Sequence, residues 1–243
     1  MEIISASQKR KYGHGPFQIE ILYPGMALGS SDTGFRTIGR IDHAKFSPPG
    51  FVPMHTHRDD EILSYMRSGK QIHRDTAGHE EHISDAYLML MNAGSGMQHE
   101  ERALADIEML QIFMRPSENG LPPKVQFHQF DSVYSINKWR LVAGDSENAP
   151  LKLRTATGIF DARLSHGSTL VPPVSDKPVV HMLYCFNGEL GLGDQLLGKG
   201  DAAIFGQEEL IIKANVESDL VLFQIDKAAV YSDTGMFSGN QYQ

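Results

Sequence analysis

The chain has 243 residues, 41% of them hydrophobic, enough to bury one large core or two modest ones. Its net charge of -8 repels phosphate backbones, and no run of Lys or Arg forms a basic stripe, which argues against direct nucleic-acid binding. Residues 1–6 lack a basic start followed by an apolar core, and no uninterrupted apolar stretch reaches the ~20 residues of a membrane helix. A cytoplasmic protein is the expectation.

A single cysteine, Cys185, excludes an internal disulfide and a cysteine-rich zinc site. Nitrogen and oxygen would have to hold any metal, so the 11 histidines are the residues to sort.

Along the chain, apolar residues come in short runs separated by Gly, Pro, Asn and Asp, the pattern of antiparallel strands in an all-β fold. Residues 37–44 and 107–114 read as strands, the second apolar enough to be covered on both faces. Ser47-Pro48-Pro49-Gly50 reads as a corner between extended segments. Residues 115–123 mix breakers with polar groups after a long strand and are placed as a linker, giving domains 1–118 and 119–243. Beyond it the pattern restarts, with strands expected at 158–164, 179–186, 202–205 and 220–225. Tyr65-Met66-Arg67-Ser68-Gly69-Lys70 is answered by Tyr184-Cys185-Phe186-Asn187-Gly188-Glu189, and Ser84-Asp85-Ala86-Tyr87-Leu88 by Gly200-Asp201-Ala202-Ala203-Ile204. Two matches in the same order point to a duplicated barrel.

His55-Thr56-His57 follows the corner. Residues two apart on a strand share a face, so both imidazoles can converge on one point. Gly94-Ser95-Gly96-Met97-Gln98-His99-Glu100-Glu101 then gives a glycine-rich turn followed by His99 and Glu101, again two apart. Two facing pairs supply three nitrogens and one carboxylate and leave positions open on an octahedral ion. Glu61 also follows His57 at an even interval, so on spacing alone it competes with Glu101 as ligand, or orients an imidazole from behind. His73 is at most a supporting donor. His79 and His82 lie in a polar stretch that reads as a solvated turn, and His14, His43, His128, His166 and His181 lack partners.

These residues resemble the cupin signature, with Gly50, His55, His57, Glu61, Gly96 and His99 in its places. Within cupins they are most similar to the pirin family of bicupins, two tandem jelly-roll barrels. The likeness rests on His55-Thr56-His57-Arg58, Glu61, Tyr65 with Gly69, His73-Arg74-Asp75, and Ala93-Gly94-Ser95-Gly96-Met97-Gln98-His99-Glu100-Glu101. Leu110-Gln111-Ile112-Phe113 and Arg140-Leu141-Val142-Ala143-Gly144 extend it over nearly the whole chain. Departures are Thr56 for Pro, Asp59-Asp60 for a Gly or Met and an apolar residue, and Asn92 for Thr.

The resemblance implies that His55, His57, His99 and Glu101 are the metal ligands, deciding for Glu101 over Glu61. It implies one divalent metal, iron(II) first, with nickel, copper, manganese or zinc as alternatives. Where the second barrel's histidines would stand there are Pro173-Val174-Ser175-Asp176-Lys177 and Leu210-Ile211-Ile212, which implies a degenerate, metal-free barrel. It further implies quercetinase-type dioxygenase activity on a small aromatic or flavonoid substrate, with Glu101 as catalytic base. The other reading is a non-enzymatic, iron-dependent regulator that changes its affinity for a protein partner, or a ligand-binding module.

Overall fold

A computed structural model describes residues 1–207 and 210–242. Helix is confined among them to Ala6–Gln8 and Pro24–Ala27, and the rest of the regular structure is strand, as expected of an all-β chain. No described helix is long and apolar enough to cross a membrane.

The chain divides into two compact units, and each is the two-sheet barrel of a cupin. The larger unit comprises residues 9–133, 151–155 and 230–243. Its main sheet runs in the order Lys124–Gln129, Tyr87–Asn92, Glu61–Ser68, Ile107–Met114, Ile38–Phe46, Phe17–Leu22, Arg10–His14. Facing it is a four-stranded sheet in the order Phe51–His57, Met97–Ala103, Lys70–Asp75, Glu80–Ser84. Strand Ile107–Met114 sits mid-sheet between Ile38–Phe46 and Glu61–Ser68, which is why its sequence is apolar at nearly every position rather than alternating.

The smaller unit comprises residues 1–8, 134–150 and 156–229. Its main sheet places Glu2–Ile4, Ala202–Phe205, Val179–Asn187, Ser218–Asp226, Thr157–Leu164 and Arg140–Gly144 in that order, strand for strand the sequence of roles seen in the larger unit. Its small sheet runs Thr169–Leu170, Ile212–Ala214, Glu189–Leu192, Gln195–Gly198. The matched hairpins correspond closely: Gly69 and Gly188 both adopt φ 91°. A Cβ at Gly69 would stand 2.4 Å from the Asp106 carbonyl oxygen, and one at Gly188 2.6 Å from that of Glu217, so both turns require glycine for the same reason.

The simple cut after residue 118 does not describe these units. Residues 115–123 lie inside the larger one: Arg115 is fully buried, Gly120 N–H donates to Asp59 Oδ1, and Ser95 N–H donates to the Leu121 carbonyl. The breakers there turn the chain so that Lys124–Gln129 can pair with Tyr87–Asn92. The first strand, Glu2–Ile4, pairs with Ala202–Phe205. Residues 230–243 belong with the larger unit, where Phe237 and Ser238 N–H groups donate to the buried Asp60 carboxylate. Composition marks where a chain turns, and here the turns do not coincide with the limits of a core.

Candidate metal centre

Strand Phe51–His57 pairs antiparallel with Met97–Ala103, and the register sets His55 directly opposite His99 and Met97 opposite His57. Alternation along Met97–Ala103 buries Met97, His99, Glu101 and Ala103, the residues facing the barrel interior. His57 lies on the same face as His55, so three imidazoles meet. Their ring centroids stand 4.8 Å (His55 to His57), 4.5 Å (His55 to His99) and 4.9 Å (His57 to His99) apart. One nitrogen from each lies within 4.8 Å of the others, the only such group among the described residues.

Their back sides fix which nitrogen faces inward. His55 Nδ1 is 2.9 Å from the Pro53 carbonyl, to which it must donate, leaving Nε2 as a lone pair. His99 Nδ1 lies 3.4 Å from His73 Nδ1, whose other nitrogen, Nε2, is 2.9 Å from Asp75 Oδ2. A carboxylate only accepts, so His73 Nε2 carries hydrogen, His73 Nδ1 accepts, and His99 Nδ1 donates. His57 Nδ1 is 3.5 Å from Asp60 Oδ2, a charge contact too long for a good hydrogen bond.

The inward nitrogens His57 Nε2 and His99 Nε2 are buried without a hydrogen-bond partner. Burial pushes the pKa of His99 well below the ordinary histidine value, reinforced by the neighbouring His57, His55 and His73. Burial likewise lowers His57, against the opposing pull of Asp60. Both rings are neutral at pH 7, the form that coordinates a metal. Convergent neutral imidazoles with orphaned lone pairs are what one transition-metal ion requires, so the residues fit it.

Glu101 stands beside this group, on the same interior face as His99. A register shift between His99 and Glu101 sets two steps of that strand against three of its partner, so Glu101 faces Val52. Gln71, buried on strand Lys70–Asp75, donates its Nε2 to Glu101 Oε1 at 2.7 Å, with Gln111 Nε2 at 3.4 Å from Oε2. Glu61 is elsewhere. The strand breaks between His57 and Glu61, with Asp59 at φ 54°, so even spacing no longer fixes its face. Its carboxylate instead accepts from Asn92 Nδ2 at 2.6 Å and from the Arg154 backbone N–H at 2.8 Å. The replacement of Thr by Asn92 thus belongs to a buried network around Glu61. His79 is more than solvated polarity, since its Nδ1 is 2.9 Å from Asp75 Oδ2.

His55 and His57 open on a cavity of about 190 Å³ whose lining includes Arg40, Asp42, Gln71, Glu101, Gln111, Phe113 and Phe237. Phe237 lies 4.9 Å from the His57 ring and 5.8 Å from that of Phe113, and Asp60 holds its backbone there. Sequence reasoning found the histidines and missed the cavity wall. Arg40, Asp42 and Gln71 belong to none of the motifs, and Gln111 entered only through the likeness of Leu110-Gln111-Ile112-Phe113.

Comparison with known proteins gives a family match over the histidine-bearing part of the chain. The Pirin family model matches residues 34–114, the span that carries all three histidines. Residues 34–114 are a pirin domain. Quercetin 2,3-dioxygenase of Escherichia coli K12 is 26% identical over 175 residues, covering 70% of this chain and 74% of that protein. A pirin-like protein of Arabidopsis thaliana is 28% identical over 196 residues, 69% of this chain and 62% of its own. Among solved structures, YhhW from E. coli matches with a TM-score of 0.81 at 21% identity, covering 92% of this chain and 97% of YhhW. The same bacterial pirin in complex with nickel(II) gives 0.80 at 20% identity, covering 93% and 98%. The pirin domain therefore sits in a chain that shares the two-barrel fold over nearly its whole length.

In the smaller unit the face equivalent to the histidine cluster is apolar. Leu164, Leu190, Leu192, Phe205, Ile212, Ala214 and Leu222 pack there as one buried cluster. Ile212–Ala214 takes the place of the strand that bears His99, which leaves apolar contacts where the pirin domain has nitrogens.

Proposed function

We propose that this protein is a metal-dependent dioxygenase of the quercetinase type, with His55, His57 and His99 holding one divalent metal and Glu101 as ligand and base. The observation that carries this reading is the pair of buried, unpartnered Nε2 atoms of His57 and His99, set beside a cavity that His55, His57 and a carboxylate line. The E. coli relative named as a quercetin 2,3-dioxygenase and the nickel(II) complex of YhhW support it. Imidazole ligation suits iron(II), nickel or copper alike, so the metal is left to measurement.

When bound, the metal supplies open coordination positions and Lewis acidity for a flavonol and dioxygen. Everything else falls to the chain. Glu101, held at Oε1 by Gln71, accepts the proton of the substrate hydroxyl at Oε2, where Gln111 makes only a long contact. Phe113 and Phe237 flank the reacting volume and exclude water. The flavonol takes up both atoms of one dioxygen and leaves as an ester and carbon monoxide, so no external reductant enters.

The test is anaerobic purification, metal analysis and oxygen uptake with quercetin, alongside His55→Ala and Glu101→Ala. Uptake with carbon monoxide release, lost in both variants, is expected. Absence of uptake with iron, nickel, copper and manganese across a flavonoid panel would sink the reading in favour of a regulatory metal-binding protein.

A further inference from the structure

Two polar atoms in the wall of the histidine cavity are buried without a partner: Arg40 Nε, a donor, and Asp42 Oδ1, an acceptor. Both residues belong to strand Ile38–Phe46 and are two apart, so they share its interior face. Their other ends are joined, Arg40 Nη2 donating to Asp42 Oδ2 at 2.7 Å. Asp42 is completely buried. The guanidinium is fixed between two rings, 4.4 Å from the Phe113 centroid and 4.8 Å from that of Phe237.

Neighbours that could complete this pair are turned elsewhere. Gln111 is the register partner of Asp42, yet its amide reaches toward Glu101. A buried donor or acceptor left unmade costs about 1–3 kcal/mol. Two of them side by side, one of each kind, in the wall of the same cavity are explained by a ligand that completes both.

The nature of that ligand follows from charge. Arg40 and Asp42 neutralise each other, so the pair offers no net charge to a cation or an anion. A carboxylate brought to Nε would also meet the Asp42 carboxylate at short range in a low-dielectric wall, where like charges repel strongly. A hydroxyl has no such difficulty, since it donates to Oδ1 while an adjacent oxygen accepts from Nε. Burial raises the Asp42 pKa to about 6 against the opposing charge and hydrogen bond of Arg40, so at neutral pH this oxygen only accepts. Phe17, Phe46, Phe113 and Phe237 give the apolar part of the wall four aromatic rings beside Ile19, Ala44, Val52 and Met109.

We propose that Arg40 and Asp42 are the specificity-determining pair of the cavity, and that they select neutral aromatic ligands bearing adjacent hydroxyl groups over aromatic carboxylates. The proposal rests on reading the cavity as the substrate site of the proposed oxygenase.

Calorimetric titration of the metal-free full-length protein with catechol and with benzoate tests it, because removing metal removes catechol chelation from the signal. Catechol binds at least tenfold more tightly than benzoate in the wild type. Asp42→Asn keeps an acceptor and loses the charge, and the catechol-to-benzoate ratio drops about tenfold. Arg40→Lys keeps the charge and loses Nε–H, weakening catechol while preserving the preference over benzoate. The ratio is taken within each variant, so a general loss of stability does not imitate the effect. If Asp42→Asn does not fold, the wild-type ratio and Arg40→Lys decide.

Equal affinity for the two probes in the wild type, or an unchanged ratio in Asp42→Asn, overturns the pair. Quercetin turnover with no dependence on Asp42 overturns the pair alone. An Asp42-dependent preference for catechol in a protein without oxygen uptake overturns the oxygenase reading alone.

Discussion

His73 Nδ1 stands 3.4 Å behind His99 Nδ1, and through Nε2 it is tied at 2.9 Å to Asp75. Burial would raise the Asp75 carboxyl, but hydrogen bonds from His73 and His79 outweigh it and hold the group below the ordinary aspartate value. The carboxylate stays charged, keeps hydrogen on His73 Nε2, and so keeps the His99 Nε2 lone pair free for the group it forms with His55 and His57. Replacing such a supporting partner weakens metal affinity by about 10–100-fold in comparable sites. His73→Phe fills the space and removes the acceptor. A chelator-competition titration showing that loss, with near-native circular dichroism, is the expected result, and unchanged affinity means that packing alone orients His99.

Metal binding to the folded state alone adds stability. At a free metal concentration a hundredfold above Kd the gain is ~2.7 kcal/mol, or roughly 5–10 °C in the melting midpoint for a chain of this size. Nickel or iron added to the stripped protein should produce that shift in the wild type and not in His99→Ala. A shift that survives in His99→Ala places the ion elsewhere.

Glu61 gives a pH signature separate from the metal. Burial raises its pKa from 4.5 to about 7, against hydrogen bonds from Arg154 and Asn92. A raised carboxyl means that the folded state binds the proton more tightly than the unfolded chain. Stability from this group is therefore fully present below about pH 4.5 and is lost as pH rises through 7, a difference on the order of 3 kcal/mol. Glu61→Gln does not titrate. Urea denaturation at pH 5 and pH 8 should show the wild type losing more stability than the variant over that interval, and parallel losses would refute the assignment.

The metal-binding half of the site was legible because strand geometry converts spacing into direction. His55 with His57 and His99 with Glu101 each share a face wherever the strand is unbroken, and the Gly69 and Gly188 turns betray the repeated barrel for the same local reason. What spacing could not show was non-local. The irregular register between Phe51–His57 and Met97–Ala103 sets Glu101 against Val52, and the chain break at Asp59 turns Glu61 away from the histidines. Nor could spacing show that Asp60, an apparent surface acid, is buried because residues 230–243 return to cap it. Residues 115–123 misled through composition, since the same Gly and Pro that end a domain can also turn a chain within one.

That returning segment is itself testable through Gly39. A Cβ at this position would stand 2.2 Å from the Ser238 carbonyl oxygen and 2.3 Å from its Cα, closer than any backbone tolerates, so Gly39→Ala must displace residues around 238. Ser238 is otherwise held by Arg115, whose Nε donates to its carbonyl at 2.8 Å while the guanidinium pairs with Asp32. Its own N–H is held by Asp60 at 2.7 Å. Gly39 lies one residue before Arg40, so the substitution removes Phe237 from the His57 and Phe113 rings without touching a cavity side chain. The expected outcome is rapid proteolytic trimming after residue 229, with metal affinity within a few-fold of wild type and flavonol affinity reduced about tenfold, the ~1.4 kcal/mol scale of one aromatic contact. Protease resistance equal to wild type, or metal loss in step with flavonol affinity, would show that this segment supports the histidines rather than closing the cavity over them.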